Sequence, residues 1–276
     1  MCVVFFDLML KMIKIRRGFD KREILWYTIM RKILYSERAV RMRLDKFLSC
    51  TGTASRSEAT RAVRSGSVLV NGAAAKKADV QIDPERDTVT YCGRTVVYRR
   101  FTYVMLNKPE GYVSATEDGK DPTVLELLPD ELRRLELFPC GRLDKNTLGM
   151  MLLTDNGSLA HFLLSPKRHV SKKYRVVTKF PVDEEKRDLL EKGVDIGGYV
   201  TKPCKFEITP EGGYITITEG KYHQIKLMLD AVGNKVRELE RLTFGPLSLD
   251  EGLARGEWRY LTEDEIRSIE ALAPKQ

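Results

Sequence analysis

Apolar residues recur at helical spacing in two short segments of the chain. The first is RLDKFL, directly after Met42, and the second begins at Ser55 with Glu58 at the third helical position, a capping-box pattern. In the second segment small apolar residues share one face, and three arginines share the opposite face: Arg56, Arg61 and Arg64. We therefore predict two short helices, of which the second is amphipathic with an arginine face.

A hairpin is predicted after the arginine-faced helix. Gly66 ends the helix, residues 68–70 are predicted to form a strand, and Asn71-Gly72 is a two-residue turn typical of hairpins. Further short strands are predicted at residues 80–82, 88–91 and 95–98. Together these segments predict a small α/β module.

From Phe101 onwards, strand-like and helix-like segments interleave without a regular βαβ rhythm, which favours an α+β fold with a mostly antiparallel sheet. The predicted strands are residues 103–107, 148–153, 173–179, 205–209 and 214–218. The predicted helices are residues 124–128, 157–164, 183–192, 223–231 and 263–271. The chain is thus predicted to be a small α/β domain followed by a larger α+β domain.

The charge is unevenly distributed along the chain. Of a net charge of +8 over 276 residues, residues 1–41 contribute +6, residues 42–100 contribute +5 and residues 101–276 contribute −3. We expect a basic module at 42–100 that binds a polyanion, and a larger domain at 101–276 that acts locally. Residues 1–41 are predicted to be an N-terminal extension. They are either a basic tail or the result of a start assigned too early, because Met42 directly precedes the first organised pattern.

Cysteines and histidines show no metal-site or disulfide pattern. The five cysteines are odd in number and far apart: Cys2, Cys50, Cys92, Cys140 and Cys204. His161, His169 and His223 also lack ligand spacing, so we expect structural or RNA-facing histidines and no metal. Because no glycine-rich phosphate loop is evident, we expect no cofactor.

The opening MCVVFFDLML is apolar but short. It contains Asp7, and its positive charges follow the apolar run instead of preceding it, so it predicts neither a signal peptide nor a membrane span. With cysteines expected to be reduced, these features favour the cytoplasm and a chain that does not bind membranes.

The segment from Met42 to Lys77 resembles the RNA-binding module first known from ribosomal protein S-four. The resemblance rests on RLDKFL, SRSEATRAVRSGSVLVNG and the following lysine pair. An arginine-faced helix beside a basic hairpin can lie on folded RNA and contact phosphates and ribose hydroxyls by shape, although a solvated helix face would also carry arginines. The resemblance implies that the RNA-binding residues are Arg43, Lys46, Arg56, Arg61, Arg64, Lys76 and Lys77.

A second motif, GRLD at residues 141–144, places an aspartate between a glycine-led turn and a buried apolar segment. Alone, such a tetrapeptide is more often a surface Arg–Asp pair. Its context, FPCGRLDKNTLGMMLLTDNG, resembles the catalytic signature of the pseudouridine synthases, specifically the RsuA branch that modifies ribosomal RNA. LNKPEGYVSAT, SKKYRVV and EGKYHQIKLMLDAVGNKV match the same family in order, whereas Leu148 departs from the acidic or small polar residue common there.

The resemblance implies that Asp144 acts on the target ribose, either by attacking the anomeric carbon or by abstracting a sugar proton. Breaking the N-glycosidic bond builds positive charge on the ribose, which a carboxylate stabilises. Because burial alone neutralises a carboxylate, the site needs a fixed cation, and Lys226 matches that residue of the family. Arg142 matches an arginine that takes the space of the flipped nucleotide, and Tyr174 matches the tyrosine that stacks on the uracil.

We therefore expect a monomeric enzyme that converts a specific uridine of ribosomal RNA, or of an assembling ribosomal subunit, to pseudouridine. The segment KPEGYVSATEDGKDPTVLELLP favours small-subunit RNA. The alternatives are a large-subunit enzyme and a non-catalytic ribosome-assembly factor that binds rRNA. A weaker hypothesis pairs Asp144 with Asp155 in a glycan hydrolase; if Asp155 instead caps the helix near Gly157, its role is structural.

Overall fold

The computed structural model describes residues 41–273. The extension predicted at residues 1–41 therefore lies outside the described residues, apart from Arg41. The described chain forms two compact units, one made of residues 41–47 and 56–95 and the other of residues 48–55 and 96–273. In this part of the chain no helix is both long and apolar enough to cross a membrane.

Two helices and six short strands begin the described chain. They are α1 (Leu44–Cys50), α2 (Arg56–Arg64), β1 (Met42–Arg43), β2 (Val68–Val70), β3 (Ala73–Ala74), β4 (Gln81–Ile82), β5 (Val89–Tyr91) and β6 (Arg94–Val96). Strands β3, β2, β5 and β6 form one sheet in that order, and β1 pairs with β4. The predicted small α/β module is confirmed.

The hairpin between β2 and β3 has the predicted turn. Asn71 and Gly72 both have positive φ angles, 53° and 80°, as a type I′ turn requires. The Asn71 side chain also donates to Asp87 and accepts from the Thr88 amide, which ties the turn to the next strand. At the end of α2, Gly66 has φ +73° and terminates the helix as its position in the sequence predicts.

The rest of the chain contributes nine strands and five helices to the described structure. The strands are β7 (Tyr103–Lys108), β8 (Phe138–Pro139), β9 (Leu148–Thr154), β10 (Lys172–Thr178), β11 (Lys205–Thr209), β12 (Gly212–Ile217), β13 (Val236–Phe244), β14 (Leu247–Ser248) and β15 (Trp258–Tyr260). The helices are α3 (Asp130–Arg133), α4 (Gly157–Leu164), α5 (Glu184–Lys192), α6 (Gln224–Ala231) and α7 (Glu263–Glu270).

These strands form one nine-stranded sheet whose main order is β11-β12-β10-β13-β9-β7-β15. Among its described pairs, β9 and β13 run parallel and the others antiparallel, so the α+β prediction is confirmed. Strand β9 alternates between two buried clusters: Met151 and Leu153 face one, and Met150 and Leu152 face the other. Packing on both faces fixes β9 and the loop that leads into it.

The longest strand, β13, was not predicted. Its sequence, VRELERLTF, lacks regular apolar alternation, because Glu240 and Arg241 are buried in it. Remote groups satisfy these side chains: Glu240 pairs with Arg175 and Arg255, and Arg241 Nε donates to the Met150 carbonyl at 2.7 Å. Partners this far away in sequence are invisible to a periodicity test.

The predicted helix at 124–128 is instead a 3-10 turn over Val124–Leu127. Pro129 explains the difference, because a residue before proline disfavours the α conformation, and Leu128 is extended with φ −92° and ψ 152°. The short segment therefore ends before an α-helix can propagate.

The cap of helix α4 is Asn156, so the assignment to Asp155 was wrong. The Asn156 side chain accepts from the Leu159 amide at 3.0 Å. Asp155 Oδ1 instead accepts from the Thr102 amide at 2.8 Å, and burial raises the pKa of Asp155 above its usual range. Its role is still structural, as a link between the start of β7 and the end of β9.

Gly149 lets β9 and β13 approach closely. It pairs in register with Arg241 and has φ +97°. A Cβ atom at this position would lie 2.3 Å from the Arg241 carbonyl oxygen and 2.9 Å from its amide nitrogen. Both neighbours are backbone atoms of a central strand, so they cannot move aside at low cost.

We predict that Gly149→Ala lowers the free energy of unfolding by at least about 2 kcal/mol, from left-handed strain combined with steric overlap. Urea unfolding followed by circular dichroism measures the change. Gly119→Ala is the matched control, because a Cβ there meets nothing within 4 Å. Equal stability of the two variants would contradict the close approach.

Candidate active site

Asp144 lies on the loop between β8 and β9. Gly141, at the start of this loop, has φ +93°, which a residue with a side chain rarely adopts. The Thr147 amide donates to the Asp144 carbonyl at 3.0 Å and closes a turn around the aspartate. We call residues 141–147 the GRLD loop; its two ends lead into the buried sheet, so the carboxylate is held by the fold.

The predicted motif LNKPEGYVSAT supports the GRLD loop from behind. Lys108 Nζ donates to the carbonyls of Lys145 at 3.1 Å and Thr147 at 2.8 Å. Ser114 Oγ donates to the Leu143 carbonyl at 2.8 Å and accepts from the Leu143 amide at 2.9 Å. The sequence identified this motif without assigning these roles. Its side chains fix the backbone on both sides of Asp144.

Lys108 is fully buried although it carries an ammonium group. Burial lowers the pKa of Lys108 to about 8, and the nearby Asp144 carboxylate opposes part of this shift. A third hydrogen bond, to the Pro109 carbonyl at 3.0 Å, completes the donor capacity of the ammonium.

Lys226 lies against Asp144, as the resemblance implies. Its Nζ atom is 2.6 Å from Asp144 Oδ2, and each of the two side chains is 30% exposed. Helix α6 brings Lys226 to the loop from 82 positions further along the chain. The site therefore combines a carboxylate on a fixed loop with a cation on a packed helix, partly open to solvent.

His223 is a site residue that the sequence analysis missed. Its Nε2 atom lies 3.5 Å from Asp144 Oδ1, whereas Lys226 contacts the other carboxylate oxygen, Oδ2. The available signal was its spacing, since His223 precedes Lys226 by three residues at the start of a predicted helix. Within residues 41–273, no group of three or more His, Cys, Asp or Glu side chains is arranged to hold a metal ion.

Tyr174 and Arg142 make no direct polar contact with Asp144 among the described residues. Tyr174 is 7% exposed and belongs to the same hydrophobic cluster as Leu143 and Ile225, which are the sequence neighbours of Asp144 and Lys226. Arg142 is exposed and has no hydrogen bond or ion pair within residues 41–273. Its guanidinium is therefore available to an external anion.

Asp155 cannot act together with Asp144 on one glycosidic bond. Asp144 precedes β9 and Asp155 follows it, and the seven residues of this strand extend over about 20 Å. Paired glycosidase carboxylates are separated by roughly 5–10 Å. The glycan-hydrolase hypothesis was therefore wrong.

The candidate RNA-binding residues of the N-terminal part of the chain are exposed. Helix α2 buries Ala59, Ala62 and Val63, and its arginines are on the solvent side, as predicted. Arg43 is bound to Asp45 through two nitrogen–oxygen contacts, of 3.0 and 2.8 Å. The exposed set is Arg43, Lys46, Arg56, Arg61, Arg64, Lys76 and Lys77.

Known proteins resemble this chain over most of its length. It is 52% identical to the uncharacterized RNA pseudouridine synthase YtzG of Bacillus subtilis (strain 168) over 234 residues, which cover 83% of this chain and 98% of that protein. The chain belongs to the RNA pseudouridylate synthase family. The family model matches residues 102–231, which contain the GRLD loop, Tyr174 and Lys226, and an S4 domain model matches residues 42–88. Both resemblances inferred from the motifs are confirmed.

Two further proteins are similar to this pseudouridine synthase over nearly their full length. Ribosomal small subunit pseudouridine synthase A of Escherichia coli (strain K12) is 43% identical over 232 residues, which cover 83% of this chain and all of that protein. A solved structure described as a pseudouridylate synthase is 39% identical with a TM-score of 0.59, over 83% of this chain and 99% of the other.

We predict a pH-dependent stability difference between the wild-type synthase and Lys108→Met. The pKa of Lys108 is lowered to about 8 by burial, whereas an unfolded lysine titrates near ~10.4. Between these values the unfolded chain holds a proton that the folded chain has released, so the free energy of unfolding rises with pH. The wild type should gain up to roughly 3 kcal/mol over the variant between pH 7 and 11.

Urea unfolding at a series of pH values measures this gain. Lys167→Met is the control, since it removes the same charge from an exposed position. A constant difference between wild type and Lys108→Met would mean that folding does not lower the pKa of Lys108.

Proposed function

We propose that this chain isomerises a uridine of small-subunit ribosomal RNA to pseudouridine, with Asp144 as the catalytic carboxylate. The observation that carries the proposal is the Asp144–Lys226 contact of 2.6 Å on the GRLD loop of a pseudouridine synthase. The choice of small-subunit RNA is supported by relatives named for that activity, which are 42–44% identical to this chain.

Asp144 supplies a negative charge next to the ribose of the target nucleotide. As the bond from C1′ to N1 breaks, positive charge develops on the ribose, and a fixed carboxylate stabilises it. The uracil then turns, C5 bonds to C1′, and the proton lost from C5 balances the one gained at N1. Attack at C1′ and abstraction of a sugar proton both require the Asp144 carboxylate to lie against the ribose.

The two carboxylate oxygens of Asp144 have different surroundings. Oδ2 is held by Lys226 at 2.6 Å, which is well within hydrogen-bonding distance, whereas Oδ1 has His223 Nε2 at 3.5 Å, at the limit of that range. Replacing the longer His223 contact by a contact with the substrate costs less free energy than replacing the shorter Lys226 contact. We therefore assign Oδ1 to the reaction and Oδ2 to the ion pair that fixes the carboxylate.

Tyr174 and Arg142 act on the base and on the RNA strand. Tyr174 is buried, so its ring is held in place by packing and can stack on the extruded uracil. Its hydroxyl has no hydrogen-bond partner among the described residues. Arg142 is exposed on the GRLD loop and can bind phosphate or take the space of the flipped nucleotide.

The S4 domain binds the sugar–phosphate backbone of the RNA. Helix α2 presents arginines that can neutralise phosphates, and such contacts supply affinity and orientation with little base specificity. Extruding a base costs a few kcal/mol and is easiest in loops or in incompletely assembled RNA. An assembling small subunit therefore fits better than a completed duplex.

Carbodiimide labelling with primer extension on rRNA from a deletion strain tests the proposal. Loss of one pseudouridine from small-subunit RNA is expected, and its return when purified enzyme is added to unmodified RNA completes the test. Loss from large-subunit RNA identifies the alternative substrate. If every pseudouridine is retained in the deletion strain, the result favours the alternative of a non-catalytic assembly factor.

We predict that Asp144→Asn abolishes pseudouridine formation, with a rate loss of at least about 10³-fold, because the amide carries no charge to stabilise the ribose. RNA affinity should stay within about threefold of wild type, because one site contact adds little to the backbone contacts. Tritium release from uridine labelled at C5 measures turnover, and filter binding measures affinity.

Asp230→Asn is the matched control for Asp144→Asn. Asp230 is exposed at the end of α6, the same helix that carries Lys226, and its substitution should leave the rate unchanged. Turnover by Asp144→Asn at a rate near that of the control would exclude Asp144 as the catalytic group.

We predict that replacing Arg56, Arg61 and Arg64 together by glutamine weakens rRNA binding about 10- to 100-fold. The slope of log affinity against log salt should fall by about 2, since each lost phosphate contact removes roughly 0.7 from it. Filter binding at salt concentrations from about 50 mM to about 300 mM measures both the affinity and the slope.

The control removes the same charge from other helices. Arg133, Arg187 and Arg267 each pair with an acidic residue of their own helix, so their replacement by glutamine should leave the salt dependence unchanged. If both triple variants lose affinity equally, net charge matters and the arginine face of α2 does not.

A further inference from the structure

Two aromatic side chains lie on the surface beside the GRLD loop. The rings of Tyr222 and His223 stack with their centroids 3.8 Å apart and an interplanar angle of 20°. His223 also contacts the Asp144 carboxylate. Tyr222 is 77% exposed, more than any other large hydrophobic residue of the described chain. Single exposed aromatic residues are ordinary on protein surfaces, so what distinguishes Tyr222 is its position and its support.

The segment that carries Tyr222 is anchored by a buried carboxylate. Glu219 is 6% exposed, and its Oε1 atom accepts from the Lys202 amide at 3.0 Å and from Gln224 Nε2 at 2.8 Å. Gln224 Oε1 accepts in turn from the Lys221 amide at 2.9 Å. Residues 219–224 are therefore fixed on both sides of Tyr222, and its exposure is a property of a well-supported loop.

The backbone at His223 is in an unfavourable conformation. Its φ and ψ angles are 48° and 27°, in the left-handed region that a residue with a Cβ atom rarely adopts. This conformation directs the imidazole towards Asp144 at the point where helix α6 begins. Strain of this kind persists where the surrounding structure enforces it and concentrates at functional sites.

Lysines lie on both sides of the stacked pair in the chain: Lys221 directly precedes Tyr222, and Lys226 follows His223 by three residues and pairs with Asp144. Lys221 Nζ lies 4.2 Å from the centroid of the Tyr199 ring, and Lys202 Nζ lies 3.3 Å from His169 Nδ1. The nearby carboxylate of Glu219 is buried and engaged in hydrogen bonds. An exposed aromatic ring on a segment that also carries lysines matches the two requirements of single-stranded RNA, a stacking surface for a base and positive charge for the backbone.

We propose that Tyr222 is a stacking platform for an unpaired nucleobase of the substrate RNA that neighbours the target uridine. This proposal rests on the proposed function and extends it to a second nucleotide. His223 covers one face of the Tyr222 ring and fixes the platform relative to Asp144, so the opposite face receives the base. Because every base has a π face, the platform selects for an unpaired strand and not for a particular sequence.

Steady-state kinetics of Tyr222→Leu and Tyr222→Trp test the platform on a short rRNA fragment containing the target uridine. Leucine keeps the apolar bulk and removes the π face, so KM should rise between about 5- and 100-fold, the range that loss of one base–aromatic stack gives. Tyr222→Trp keeps an aromatic ring, so its KM should stay near the wild-type value. The control is Phe180→Ala, an exposed aromatic residue outside the site whose removal should leave KM and kcat unchanged.

A spectroscopic measurement reports stacking directly. 2-Aminopurine is placed in turn on each side of the target uridine, and its emission is compared in Asp144→Asn and in Asp144→Asn combined with Tyr222→Leu. Stacking on tyrosine quenches the fluorophore, so emission at one position should be lower with the first protein. A structural role of Tyr222 would not produce a quench confined to one nucleotide.

Either of two results overturns the platform: a Tyr222→Leu enzyme with wild-type KM, or emission that is the same with both proteins at every position. Failure of the proposed function gives a different result: the wild-type protein would convert no uridine in any rRNA. Both proposals would then be wrong, whereas failure of the platform alone leaves wild-type activity intact.

Discussion

The site depends on the ion pair between Asp144 and Lys226, two residues that are 82 positions apart. Because each side chain is 30% exposed, the pair is worth about 1 kcal/mol or less to stability. It does not hold the fold together. Instead, the sheet and helix α6 hold the pair, so its geometry can serve chemistry without being required for folding. Strand β9, packed on both faces, and α6, which buries Ile225, Met228 and Leu229, position one partner each.

Polar groups concentrate behind the GRLD loop because packing alone does not fix a backbone segment. Lys108 places a buried ammonium among three carbonyls, two of them in the loop, and these hydrogen bonds offset the cost of removing its charge from water. Ser114 adds a reciprocal pair of bonds to Leu143. Directional bonds of this kind restrict the loop more tightly than apolar contacts, which tolerate small shifts.

Sequence patterns predicted the elements whose signals are local. Strand 205–209, helix 157–164 and the Asn71-Gly72 turn were correct because alternation, helical periodicity and turn chemistry act over a few residues. Motifs also placed Asp144 and Lys226 correctly together. Strand β13 and His223 were missed because their environments come from remote partners: buried Glu240 and Arg241 are satisfied across the sheet, and His223 gains its role from a loop far earlier in the chain.

Net charge over a long segment is a poor guide to what that segment binds. Residues 101–276 sum to −3, yet several of their carboxylates are paired locally with arginines on the same helix, as in Arg187 with Glu184 and Arg267 with Asp264. Such pairs have little field beyond about one Debye length. Beside the GRLD loop, by contrast, Lys221 directly precedes the exposed Tyr222 in the chain, and the Glu219 carboxylate is buried. A slightly acidic domain can therefore present a cationic surface to RNA, because the field at the site is set by the charges nearest to it.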